Sequence, residues 1–136
     1  MRHQGHSLIE LLVVLGIVLV VCFSGAPAIL SFQDAWTLHA EAAHFAALLE
    51  QARLQAVLTN VTVQVRAWDD HYSIRQSDGE PNSFLLTSGV RFDGLPKSVS
   101  FASHGTASPG ITFTLVRKSR RTLVVVSPAG RVRVES

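Results

Sequence analysis

Gly5-His6-Ser7-Leu8-Ile9-Glu10-Leu11-Leu12-Val13-Val14-Leu15-Gly16-Ile17 opens the apolar part of this 136-residue chain. After Glu10 no charged residue appears until Asp34, which leaves 23 uncharged, mostly apolar positions. About 20 apolar residues suffice for a helix to cross a bilayer, so residues 6–33 are expected to form a transmembrane or assembly helix. A secretory signal has only roughly 7–15 apolar residues and a small-residue cleavage site after them, and neither feature is met here. Two residues do not suit a plain anchor. Glu10 borders the run, where a carboxylate inside the membrane costs roughly 2.5–3.5 kcal/mol. Pro27 interrupts it, where a proline removes a backbone bond and kinks a helix.

Gly5 to Glu10, followed by the apolar run, resembles the class III leader of type IV pilins and secretion pseudopilins. The resemblance implies that a prepilin peptidase cuts after Gly5, removes the leader 1–5 and methylates the new amino terminus at His6. Glu10 would then be the fifth residue of the mature chain and Pro27 the twenty-second, where the family has them. The departure is His6, where the family usually has phenylalanine. It also implies that Glu10 pairs with the mature amino terminus of a neighbouring subunit. A buried charge without a partner costs several kcal/mol, so such a carboxylate selects both partner and register.

Beyond Pro27 the helical pattern continues. Leu38, Ala42, Phe45, Leu49, Ala52 and Ala56 recur at spacings of four and three and draw one apolar stripe over residues 34–60. Glu41, Glu50, Arg53 and Gln55 lie off it. Asn60 is a stop signal, and from Val61 the period becomes two. Eight stretches, around Val61–Ala67, Tyr72–Ile74, Leu85-Leu86, Val90–Phe92, Val99–Phe101, Ile111–Leu115, Leu123–Val126 and Arg131–Glu135, read as about seven short strands. Leu123–Val126 is continuous and reads as buried on both faces. The fold class expected is α+β: a long N-terminal helix packed on antiparallel sheets of a β-rich head, residues 61–136.

The segments Gln51-Ala52-Arg53 to Asn60-Val61-Thr62-Val63 and Ile111 to Arg131 are similar to the corresponding parts of the GspH/FimT group of minor pilins. Residues 75–100 match least. The resemblance implies a minor pilus subunit, single-pass in the inner membrane with a periplasmic head, whose partners are other major and minor pilins.

No enzyme is expected. His39 and His44 are five apart on a helix, His71 and His104 fall in unrelated turns, and the single cysteine, Cys22, lies in the apolar run. These supply no metal-ligand set, and no cofactor is implied. Asp69-Asp70 reads as a turn pair that caps backbone groups.

The charge distribution points elsewhere. Residues 1–116 carry six Lys/Arg against nine Asp/Glu, whereas 117–136 carry six against one. Arg131 and Arg133 alternate with Val132 and Val134, so on a strand both guanidinium groups face one way and the valines the other. Gly130-Arg131-Val132-Arg133 matches a Gly-Arg-x-Arg element of FimT-like pilins that bind DNA for natural transformation, and the resemblance implies phosphate contacts there. Arg117, Lys118, Arg120 and Arg121 form a second basic cluster at an expected hairpin tip. Two readings stay open: a minor pilin that binds double-stranded DNA without sequence preference, and a structural pseudopilin of a type II secretion system or pilus tip. An unrelated single-span membrane protein is a third, which cleavage after Gly5 would eliminate.

Overall fold

The structure, a computed structural model, describes the backbone of residues 8–77, 79–94 and 96–135 and their side chains apart from 24–31. Gly5 and His6 therefore lie outside the described residues, as does the side chain of Pro27. Among the described residues one helix, α1 (Leu8–Thr59), is followed by nine strands: β1 (Val63–Ala67), β2 (His71–Gln76), β3 (Asn82–Leu85), β4 (Arg91–Phe92), β5 (Lys97–Phe101), β6 (Ala107–Ser108), β7 (Ile111–Arg117), β8 (Arg120–Val126) and β9 (Val132–Glu135). The chain divides into two compact units, Met1–Asp34 and Ala35–Ser136.

In the first unit the large apolar side chains from Leu8 to Phe23 are all exposed, and Glu10 stands in the first turn of α1. Among the described residues no helix is long and apolar enough to cross a membrane. Within the apolar run the described side chains are those up to Phe23 and those of Phe32 and Gln33.

The second unit holds the core. All six stripe residues of α1, Leu38 to Ala56, are buried, because their spacing stacks them on one side of the helix. Asn60 ends the helix with φ 55°, the left-handed conformation that closes many helices. The strands form two antiparallel sheets, ordered β3-β2-β1-β5-β6 and β4-β7-β8-β9. Phe45 joins the helix to both. Its ring meets Tyr72 of β2 edge-on at 5.1 Å, Phe92 of β4 at 5.0 Å and Phe113 of β7 at 5.2 Å. Such pairs contribute about 0.5–1.5 kcal/mol each beyond the area they bury.

Two expectations need correction. The described residues form nine strands, not about seven: each of the eight predicted stretches contributes to one, and β6 was missed because Ala107-Ser108 offers no apolar alternation to read. β8 is not buried on both faces: Thr122, Val124 and Val126 are buried, while Leu123 and Val125 are half-buried. Its sheet packs one face on the core and leaves the other toward solvent, as antiparallel sheets can.

Candidate nucleic-acid interface

The basic tail occupies the β7–β8 hairpin and the turn into β9. The hairpin closes with Arg117 opposite Arg120 and Val116 opposite Arg121, and Lys118 takes φ 54° at its tip. Alternation then divides the cluster. Arg121 shares its side of the sheet with Leu123 and Val125, away from buried Thr122, Val124 and Val126. Arg117 and Arg120 fall on the opposite side, and Arg117 Nη1 donates to the carbonyl oxygen of Ser88 at 3.1 Å.

The second turn is built from backbone and α1 together. Gly130 N donates to the Ser127 carbonyl at 2.8 Å, Ser127 N to the Arg131 carbonyl at 2.9 Å, and Arg131 N to the Ser127 hydroxyl at 3.1 Å. Gly130 is buried at φ 81°, and a β-carbon there would run into the Gly105 carbonyl oxygen and the Arg53 side chain. Arg53 Nε donates to that same carbonyl at 3.0 Å. Glu50 of the preceding helical turn accepts from Val132 N at 3.4 Å and pairs with Arg53 at 3.5 Å. β6 contributes through Ala107 N, which donates to the Pro128 carbonyl at 3.0 Å. The glycine of the motif is thus required by the space around it, and the arginine after it starts from a fixed backbone.

Beyond the turn, β9 pairs with β8 so that Val132 lies opposite Val126 and Val134 opposite Val124, both half-buried against the core. Arg133 lies opposite Val125 on the outer face, and Arg131 precedes it by two residues, about 6.6–6.8 Å along an extended chain. Both are exposed, as is Arg121. Among the described residues no carboxylate pairs with Arg121, Arg131 or Arg133. Glu135, opposite Leu123, is the one acid in this register, between the level of Arg133 and that of Arg121. Sequence reasoning missed Arg91, which β4–β7 pairing sets opposite Val116 and so in the same row as Arg121. Only the register could have found it.

A helix whose apolar stripe is covered by two antiparallel sheets is the architecture of a pilin-like subunit, and two solved structures share it. The type IV minor pilin FimU of Pseudomonas aeruginosa matches in two crystal forms. One has 22% identity over 73% of this chain and 93% of that one, with a TM-score of 0.58. The other has 21% identity over 77% and 92%, with a TM-score of 0.61. Among curated proteins none matches the sequence. Residues 41–130 match the family model described as type II transport protein GspH, and the chain belongs to that family.

Proposed function

We propose that this protein is a minor pilin that enters or primes a type IV pilus and binds double-stranded DNA without sequence preference during DNA uptake. One observation carries the DNA reading: Arg131, Arg133 and Arg121 share an outer sheet face with no paired carboxylate among the described residues. Arginine forks match phosphate oxygens, and contacts of this kind position a duplex without reading its bases. Gly130 supports the face by fixing the backbone from which Arg131 departs.

Assembly rests on the first unit. A prepilin peptidase cleaves after Gly5 and methylates His6. The apolar run, with its Pro27 kink, holds the chain in the inner membrane and then among neighbouring pilins. Glu10 supplies the charge that pairs with a neighbour's amino terminus. The apolar side chains exposed from Leu8 to Phe23 fit that role, since such a surface is stable only against lipid or other helices.

The family's description as a transport protein favours a second reading, a structural pseudopilin without DNA affinity. Full-length chain in nonionic micelles, mixed with two duplexes of unrelated sequence, separates them. DNA binding requires a mobility shift of both, weakened alike by Arg131→Gln with Arg133→Gln. The slope of log affinity against log salt becomes shallower by about 0.9 for each phosphate no longer neutralised, nearly 2 for the pair. An unchanged shift and slope in that variant hand the protein to the structural reading.

A further inference from the structure

The outer face of the other sheet holds a second concentration of positive charge, on different strands from the basic tail. Arg66 of β1 and Arg75 of β2 both point outward: Arg75 lies opposite Gln64, and Arg66 opposite Ser73. The two arginines are therefore diagonal neighbours, about 7–8 Å apart at the backbone. Between them opens a groove of about 240 Å³, walled by Trp68 on one side and Pro81 on the other, with Ser73 and Ser83 along β2 and β3.

Its parts are held in place. Trp68 stacks on His71 with ring centroids 4.6 Å apart, and His71 Nδ1 is bonded to Asp70 at 2.7 Å. The Arg66 guanidinium lies over the same indole at 5.8 Å. Stacking uses the face of a guanidinium and leaves its in-plane N–H groups free to donate. Arg75 spends one donor, Nη2, on Gln64 Oε1 at 3.1 Å. Among the described residues no carboxylate pairs with either arginine.

The geometry points to a binding site for a sugar phosphate: the phosphate between the two guanidinium groups, the ring between Pro81 and the edge of Trp68, its hydroxyls toward Ser73 and Ser83. Pockets for drug-sized ligands run to roughly 300–1,000 Å³, so a groove of about 240 Å³ matches a single phosphorylated sugar unit. The site is separate from the DNA face and stands whether or not that face binds DNA.

The test uses full-length Trp36→Phe protein in nonionic micelles, whose indole fluorescence then comes from Trp68 alone. Titration with glucose 6-phosphate and with thymidine 5′-monophosphate is expected to change that emission saturably, on the order of millimolar at low salt, while glucose leaves it unchanged. Whichever phosphate binds more tightly identifies the source, a hexose or a nucleotide. Arg66→Gln with Arg75→Gln should weaken binding by about tenfold or more, since both charge-assisted contacts are gone. Ser83→Tyr, which fills the groove from the edge strand and keeps both arginines, should abolish it. No saturable response to either phosphate overturns the site, and so does binding that survives both variants.

Discussion

Arg53 Nε donates to the Gly105 carbonyl oxygen at 3.0 Å, and that oxygen lies where a β-carbon on residue 130 would have to sit. A residue of the helix and a loop carbonyl 52 positions later thereby dictate glycine at the head of the Gly-Arg-x-Arg element. Arg131, next in the chain, inherits its backbone position from the helix through this contact.

Gly130→Ala is accordingly expected to destabilise the head by about 2–4 kcal/mol, combining a left-handed backbone with overpacking. Denaturant midpoints of the two proteins measure this. A loss below about 1 kcal/mol would mean the turn can move away from Gly105 at little cost.

The two sides of the hairpin should separate in DNA binding. Arg121→Gln removes a charge on the face of Arg133 and should make the salt slope shallower by up to about 0.9. Arg120→Gln, on the opposite side, should change it by clearly less. Equal slopes for the two variants would place the contact at the hairpin tip and not on the sheet face.

Tyr72 is the single tyrosine, so its ionisation can be followed directly by tyrosinate absorbance. Burial, with Glu41 adding to it, pushes its hydroxyl from the usual 10 up to about 12. The folded pKa is raised, so stability is intact below pH 10 and falls as pH rises from there. The unfolded chain releases that proton first, and by pH 12 the loss reaches roughly 2–3 kcal/mol. Tyr72→Phe should remove this alkaline loss, though not the cost of other groups. Ionisation of native protein near pH 10 would contradict the burial argument.

Maturation is checked by mass. Intact protein from a cell with a prepilin peptidase should begin at His6, and Gly5→Val should leave the leader attached. Glu10→Ala should still be cleaved but should fail to enter pili, because the apolar run survives while the pairing charge is gone. A mature chain beginning at another residue contradicts the leader reading.

The sequence alone determined the elements whose signal is local. The stripe from Leu38 to Ala56, the stop at Asn60 and the alternation of Ile111, Phe113 and Leu115 each depend on residues within a turn or strand of one another, and all six stripe residues are buried. Local alternation also gave the opposite facing of Arg133 and Val134. What only the tertiary structure decided is how those elements lie side by side. β6 exists because β5 pairs with it, and Arg91 joins the row of Arg121 because β4 pairs with β7. Arg66 and Arg75 share a groove through the β1–β2 register, and Gly130 is obligatory because of Gly105 and Arg53. Hydrophobic periodicity tells a strand which face to bury. It carries no record of which strand lies beside it, and that choice set the composition of both arginine faces.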